Sequence, residues 1–240
     1  MKGALCMFGH YGYYGIDSYY LILVMPAILF SLWAQTKVQG TFSRYQKVRS
    51  YSGYTGADVA RRILDDNGLY NVRIERINGS LTDHYDPRDQ VIRLSDSVHN
   101  SNSIAALGVA AHETGHAVQH ATGYGPLTVR NAIIPVTNFG SQLAMPLILF
   151  GFIFNNNALV GIGIICFAMV TLFQLVTLPV EFDASARAMR TLSNEGILQG
   201  DEVSQTRKVL TAAALTYVAA LIVSAAQLLR LVLLFNRRRD

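Results

Sequence analysis

Apolar residues gather in long stretches that carry no charged side chain. Asp, Glu, Lys and Arg are absent from Ser18–Thr36, Asn131–Val180, Val209–Leu229 and Leu231–Asn236. A helix needs about 20 apolar residues to cross a bilayer, so the second stretch is long enough for two crossings. The pattern predicts four transmembrane helices, at about Tyr19–Ala34, Ile133–Phe154, Ala158–Pro179 and Val209–Phe235. The alternative for any one of these stretches is a buried helix of a soluble core.

A mixed polar segment, Gln35–Ala132, is the only one large enough to fold as a soluble unit. Thr55 followed by a helical pattern predicts an N-capped helix that ends at Asn67 and Gly68. Apolar and polar residues then alternate, which is typical of half-buried strands. The predicted strands are Val72–Ile77, Leu81–Tyr85 and Gln90–Leu94.

A long helix follows these strands, from about Ser103 to Ala121. The turn signal at Asn78-Gly79 favours a hairpin between the first two strands. We therefore expect a helix, a small antiparallel sheet and a second helix that leads to the membrane.

Composition supports a membrane protein. Apolar residues make up 51% and charged residues 15% of the 240 residues, against about 25% charged in ordinary soluble domains. Two cysteines, Cys6 and Cys166, are too few for a disulfide framework or a thiolate metal site. The net charge of +4 is better explained by the membrane topology than by nucleic-acid binding. The first span is expected to be an uncleaved anchor; the alternative is a signal peptide.

Basic residues predict the orientation. Eleven Lys and Arg lie between the first two predicted spans and four between the last two, against five elsewhere. An excess of basic residues marks cytoplasmic segments, so both long segments are expected to face the cytoplasm, although Arg237–Arg239 would then lie outside. The expected organisation is 1–36 (first span), 37–132 (folded cytoplasmic domain), 133–180 (membrane hairpin), 181–208 (cytoplasmic segment) and 209–240 (last span and basic tail).

The long helix carries the candidate chemistry. His112-Glu113-Thr114-Gly115-His116 fits H-E-x-x-H, in which two histidines four residues apart share one helix face and can bind one metal ion. Glu113 is then the expected general base toward a zinc-activated water. The alternative is a helix with two hydrogen-bonded histidines.

A third ligand must come from elsewhere, because a catalytic zinc takes three protein ligands. Gln119 and Thr122 exclude the extended metzincin motif, and His120 lies two turns from His112, so His120 is expected to support the site or the fold. A hairpin of two spans returns the chain to the same membrane face. Glu181 directly follows the third span and is therefore the expected ligand.

Supporting roles are assigned to a few other residues. Asp183 is expected to hydrogen-bond a ligand histidine, although helix capping is the alternative for Glu181 and Asp183. Tyr85, His84 and Arg187 are candidate oxyanion donors, on position alone. The strand Leu81–Tyr85 could pair with an extended substrate.

Three blocks of sequence carry a family resemblance: Leu81–Pro87, Val109–Gln119 and Leu178–Ser185. With them, the chain resembles the YugP-like bacterial membrane zinc metallopeptidases from about Tyr51 to the last span. The resemblance implies a multi-pass membrane protein whose two motif histidines bind zinc. The HtpX-type peptidases are more distantly similar and use a pattern E-x-x-x-D after a membrane hairpin; Glu181 fits its first position, and Ser185 replaces its aspartate.

The expected protein is thus a mainly α-helical multi-pass membrane protein with a small α+β zincin-like cytoplasmic domain. We expect a Zn²⁺-dependent endopeptidase of gluzincin type in a bacterial plasma membrane, acting on peptides or membrane proteins. The alternative is a non-enzymatic membrane scaffold. A transporter is disfavoured, because the predicted spans hold almost no ionisable residue. The sequence does not predict the oligomeric state.

Overall fold

A computed structural model describes residues 17–237. The chain is mostly helical, with one small sheet. After a π-helical turn at Tyr20–Val24, its elements are α1 (Met25–Tyr45), α2 (Gly56–Asp66), β1 (Arg73–Ile77), β2 (His84–Asp86), β3 (Val91–Ser95), α3 (Asp96–His99), α4 (Ile104–Ala121), α5 (Gly125–Ile153), α6 (Asn157–Asn194) and α7 (Asp201–Arg237). The tail arginines Arg238 and Arg239, the cysteine Cys6 and the N-terminal part of the predicted segment 1–36 lie outside the described residues.

Four helices among the described residues are long and apolar enough to cross a bilayer, as the sequence predicts. They are longer than the predicted spans. The helix α6 has 38 residues and α7 has 37, whereas a span needs about 20. Each of them therefore continues beyond its apolar stretch into polar sequence, and Glu181 lies on such an extension of α6 rather than in a loop.

The described residues form two compact units. One contains the segments up to Trp33, Val136–Leu172 and from Ala219 onward; the other contains Ala34–Pro135 and Phe173–Val218. In the first unit, the guanidinium of Arg230 is buried and donates from Nε to Oδ2 of Asp17 at 2.9 Å. In the second unit, α2 and α4 pack against each other and against the sheet.

The capped helix forms as predicted. Thr55 Oγ1 accepts a hydrogen bond from Asp58 N, while Asp58 Oδ2 accepts one from Thr55 N at 2.9 Å, which completes a capping box at the start of α2. The pKa of Asp58 is lowered, because Thr55 donates to its carboxylate from both the hydroxyl and the backbone. The predicted helix from Ser103 also forms, and Ser103 Oγ accepts from Ala106 N.

The sheet differs from the prediction. Its strand order is β1-β3-β2, with β1 parallel to β3 and β2 antiparallel to β3, so it is mixed rather than antiparallel. The most apolar strand, β3, is the buried one and takes the centre, with Val91, Ile92 and Leu94 fully inside. The Asn78-Gly79 turn therefore begins a longer connection, and no hairpin joins β1 to β2.

Asp83 fixes the end of that connection. Its carboxylate accepts hydrogen bonds from Ser95 N at 2.7 Å and from Ser95 Oγ at 2.9 Å, which joins the segment before β2 to the end of β3. Burial raises the pKa of Asp83 above its ordinary value, although both hydrogen bonds act in the opposite direction. This arrangement holds β2 at the edge of the sheet nearest α4.

Candidate metal centre

The helix α4 presents both motif histidines to one point. His112 and His116 lie one turn apart, and their ring centroids are 4.8 Å from each other at an interplanar angle of 84°. Most other α4 residues are buried and many are small, including Ala110, Ala111 and Ala117. The helix is therefore held inside the second unit, and the two imidazoles project from a fixed backbone.

Glu181 reaches the same point from α6. Its Oε2 lies 3.3 Å from His112 Nε2 and 3.6 Å from His116 Nε2, and the carboxylate side chain is 5% exposed. One ligand atom from each of the three residues lies within 4.8 Å of the others. The structure thus brings together the three residues that the sequence analysis predicts as ligands.

A buried carboxylate oxygen in this cluster has no hydrogen bond. Within residues 17–237, Glu181 Oε2 accepts none, although it is shielded from solvent. An unsatisfied buried carboxylate is costly, and a divalent cation bound at this position would satisfy it. Two imidazole nitrogens and a carboxylate oxygen are also the donor set of catalytic zinc, so the residues present fit Zn²⁺.

The distal nitrogen of each ligand histidine has a hydrogen-bond partner, and at His116 this partner selects the tautomer that binds metal. Nδ1 of His116 lies 3.0 Å from Gln119 Oε1, and Nδ1 of His112 lies 3.1 Å from Ser185 Oγ. An amide oxygen only accepts, so His116 Nδ1 carries the proton and Nε2 keeps its lone pair. Such contacts orient ligand histidines and raise their basicity.

Gln119 is oriented by two acceptors. Its Nε2 donates to Val180 O and to Asp183 Oδ2, both at 2.8 Å, and the side chain is fully buried. The amide nitrogen must face these acceptors, and therefore the amide oxygen faces His116. Gln119 joins the second histidine to the α6 segment that carries Glu181.

The hydrogen-bond partners of Asp183 differ from the predicted one. It was expected to hydrogen-bond a ligand histidine, but its Oδ2 accepts from Gln119 and from Arg187 Nε, the latter at 2.6 Å. Gln119 stands between Asp183 and His116, because Asp183 lies two residues beyond Glu181 and therefore faces another side of α6. Ser185, one turn beyond Glu181, contacts the other histidine directly.

A glycine allows α4 and α6 to approach closely. A Cβ atom at Gly115 would lie 2.9 Å from Ala184 O and 3.2 Å from Ala184 Cα, and both are backbone atoms. Gly115 is the residue before His116, and Ala184 is the residue before Ser185. The space left by the missing side chain lets the carboxylate of Glu181 reach the imidazoles.

Glu113 lies beside the cluster and is 9% exposed. Its charge acts on His116: burial lowers the pKa of that imidazole, but the nearby carboxylates of Glu181 and Glu113 outweigh burial and raise it. Glu113 also interacts electrostatically with Tyr217 of α7. A carboxylate in this position can exchange a proton with a molecule that is bound next to the two imidazoles.

Two polar groups near Glu181 were not found by sequence reasoning. Arg130 Nη1 lies 4.0 Å from Glu181 Oε1, and the half-buried Tyr217 interacts with both Glu181 and Glu113. Gln119 was considered only as the residue that excludes a metzincin motif. No sequence spacing links Arg130 and Tyr217 to the histidines, since their positions depend on how α5 and α7 pack. Gln119 lies three residues after His116 on α4, and this helical spacing is the signal that could have identified it.

The three predicted oxyanion donors are engaged elsewhere. The Tyr85 hydroxyl lies 3.0 Å from His120 Nδ1, and burial raises the pKa of Tyr85. His84 is exposed, and its Nδ1 lies 2.9 Å from Thr82 O. Arg187 pairs with Asp183. Tyr85 and His120 connect the edge strand β2 to the last turn of α4, in line with a structural role for His120.

Comparison with known proteins assigns the chain to a protein family. A family model described as "Putative neutral zinc metallopeptidase" matches residues 20–236. The chain belongs to this family of neutral zinc metallopeptidases. It is 50% identical over 221 residues to the "Putative membrane protease YugP" of Bacillus subtilis (strain 168), which covers 92% of this chain and 98% of that protein. No solved structure matches the chain.

Membership confirms the resemblance that the sequence blocks predict. It supports zinc as the metal, a proteolytic role and a membrane location for this chain. The family match spans all of the described elements from the π-helical turn at Tyr20–Val24 to α7, so it includes both the histidine helix α4 and the carboxylate helix α6.

Proposed function

We propose that this metallopeptidase is a membrane-embedded, Zn²⁺-dependent endopeptidase of gluzincin type, with His112, His116 and Glu181 as metal ligands. The observation that carries the proposal is the meeting of three ligand atoms within 4.8 Å, around a carboxylate oxygen that otherwise lacks a partner. The printed description of the family and the name of the 50% identical relative support the same activity.

Zinc, when bound, polarises the scissile carbonyl and makes a water molecule acidic near neutral pH. Glu113 accepts the proton of the attacking water and delivers it to the leaving amine. Gln119 holds the imidazole of His116 in the tautomer that exposes Nε2, and Ser185 contacts Nδ1 of His112 and orients that ring. These roles need no residue to move far, because each one lies on α4 or α6.

The developing oxyanion needs a donor, and we propose Tyr217, with Arg130 as the nearby positive charge. Tyr217 interacts with both Glu181 and Glu113, whereas the hydroxyl of Tyr85 is taken by His120. A donor aimed at developing negative charge contributes a large part of such catalysis. This assignment replaces the candidates Tyr85, His84 and Arg187.

We further propose that the site faces the cytoplasm at a bacterial plasma membrane and accepts peptides or membrane proteins near the bilayer. The distribution of Lys and Arg, fifteen on one side against five, supports the orientation. The position of Glu181 soon after an apolar stretch supports a site close to the membrane. Lipid and substrate are then the partners, and no nucleic acid is expected.

The alternative is a non-enzymatic membrane scaffold whose histidine cluster is structural. The deciding experiment uses the full-length chain in detergent and compares wild type with Glu113→Gln. We measure zinc by elemental mass spectrometry and proteolysis with labelled casein. The proposal expects about one zinc per chain in both proteins and a loss of activity of at least about 100-fold in the variant.

Other results would contradict the proposal in distinct ways. Zinc bound without proteolysis in wild type favours a structural metal in a scaffold. Proteolysis that survives Glu113→Gln removes Glu113 from the mechanism. Activity without stoichiometric metal excludes the metallopeptidase itself.

A further inference from the structure

A basic groove lies between the end of α1 and the start of α7, away from the metal centre. It has a volume of about 1010 Å³, and four of its lining residues are exposed bases, Lys37, Arg44, Arg207 and Lys208. Among the residues that the structure describes, its lining includes no Asp or Glu. We refer to it as the basic groove. All of the charged side chains that line it are therefore positive.

The groove lies where two uncharged stretches end. Lys37 is the first charged residue after the stretch Ser18–Thr36, and Lys208 is the last one before Val209–Leu229. A helix crosses the hydrocarbon core in about 20 residues. Both bases are therefore expected at the depth of the lipid headgroups.

Three of the four bases of the groove have no carboxylate partner among the described residues. Within the described part of the chain, Arg44, Arg207 and Lys208 form no ion pair, and the guanidinium of Arg44 lies 5.5 Å from the ring centroid of Tyr45. The nearby buried Glu202 is already used, because it accepts hydrogen bonds from two backbone amides.

The rest of the lining is suited to an amphipathic ligand. Hydroxyl groups of Thr41 and Thr211 can donate to phosphate or ester oxygens, and Val203 and Ala212 provide apolar contact. A free phosphate needs only the charge and the hydroxyls. A phospholipid uses the apolar lining as well.

We propose that the basic groove binds the headgroup of an anionic phospholipid. Basic pockets between membrane helices on the cytoplasmic side recognise such headgroups, and each Lys or Arg near the surface contributes to the attraction. This site is separate from the metal centre, and the proposal does not depend on proteolytic activity.

A matched pair of variants tests the groove. Gly40 lines it, and a Cβ at Gly40 would have no atom within 4 Å, so Gly40→Glu is sterically tolerated and favours the helix. Gln39→Glu adds the same carboxylate on the same helix, at an exposed neighbour outside the lining. Arg44→Gln with Arg207→Gln removes charge from the groove. Arg73→Gln with Arg88→Gln removes the same charge from β1 and from the turn between β2 and β3, outside the lining of the groove.

The probe is an equimolar mixture of phosphatidylglycerol and phosphatidylcholine added to the full-length chain in neutral detergent. Bound lipids are counted by native mass spectrometry. We expect wild type to retain phosphatidylglycerol over phosphatidylcholine by at least about tenfold. Gly40→Glu and the Arg44/Arg207 variant should lose this preference, while both control variants keep it.

Three results would overturn the proposal. Equal retention of the two lipids by wild type excludes selective binding. Equal loss in the control variants assigns the effect to overall charge rather than to the groove. Displacement of phosphatidylglycerol by millimolar inorganic phosphate shows that the groove recognises a phosphate group alone and is not a site for phospholipid in particular. Circular dichroism and zinc content of each variant show that it is folded.

Discussion

Gly115 of α4 lies against the backbone of Ala184 in α6, so closely that a Cβ on the glycine would stand 2.9 Å from the Ala184 carbonyl oxygen. We predict that Gly115→Ala pushes α6 away from α4 and separates Glu181 from the histidines. Overpacking of this kind costs about 1–3 kcal/mol. We expect a lower melting temperature and substoichiometric zinc in the purified chain.

The control for this variant is Gly40→Ala, where the added methyl group meets nothing within 4 Å. It should retain both stability and zinc. A Gly115→Ala protein with full zinc content and an unchanged melting temperature would show that the contact does not set the ligand geometry.

Gln119→Leu should weaken zinc binding by about 10–100-fold, because the variant loses the group that orients His116. It also leaves Val180 O without the amide donor, which adds an unsatisfied acceptor. Zinc affinity can be measured by competition with a fluorescent chelator. Gln199→Leu is the control, since Gln199 is exposed and, among the described residues, its side chain bonds only to Gly196 O. Equal affinities in the two variants would argue against Gln119 as the orienting group.

Tyr217→Phe should reduce the kcat for proteolysis by about 100-fold while zinc content stays unchanged. Tyr85→Phe should have little effect on kcat, because the Tyr85 hydroxyl bonds to His120. Both are measured with the same casein assay at saturating substrate. The reverse pattern would return the oxyanion role to Tyr85.

The orientation predicts a labelling pattern. With native cysteines replaced, Tyr51→Cys should react with an impermeant maleimide only after the cells are opened, because Tyr51 is 91% exposed and follows the first span on the expected cytoplasmic side. Asn156→Cys, in the turn between α5 and α6, should react in intact cells. Labelling of Tyr51→Cys in intact cells would invert the topology.

Asp83 gives a pH dependence of stability. Burial raises the pKa of Asp83 in the folded chain, so the native state favours the protonated carboxyl. The contribution of this protonated group to the free energy of unfolding is lost as pH rises through the folded pKa. Asp83→Asn keeps an acceptor for Ser95 N and carries no charge. The variant should therefore melt higher than wild type near about pH 7, and this difference should shrink toward about pH 4. A difference that does not vary with pH would mean that Asp83 has an ordinary pKa in the fold.

Local signals account for the features that the sequence predicts. The cap of α2 requires only Thr55 and Asp58, three residues apart, and both bonds form. The shared face of His112 and His116 follows from helix geometry alone. Glu181 was expected at the cluster because a hairpin of two spans returns to one face, and it does lie there.

The remaining features depend on contacts between distant segments. No local rule shows that β3 would take β1 as a parallel partner, since this depends on which strand the core buries. Asp183 was expected at a histidine because it lies near Glu181 in sequence, but the helical rotation between them directs it to Gln119. The position of Tyr217 depends on how α7 packs, which periodicity does not predict.

Pro179 interrupts the backbone bonding of α6 two residues before Glu181, since proline has no N–H to donate. At the next residue, Val180 O accepts a hydrogen bond from the side-chain amide of Gln119 in α4. The segment that supplies the carboxylate is thus held partly by the helix that supplies the imidazoles. Removing the metal and loosening this helix pair would then be one linked equilibrium, so a chelator should also increase hydrogen exchange near Val180.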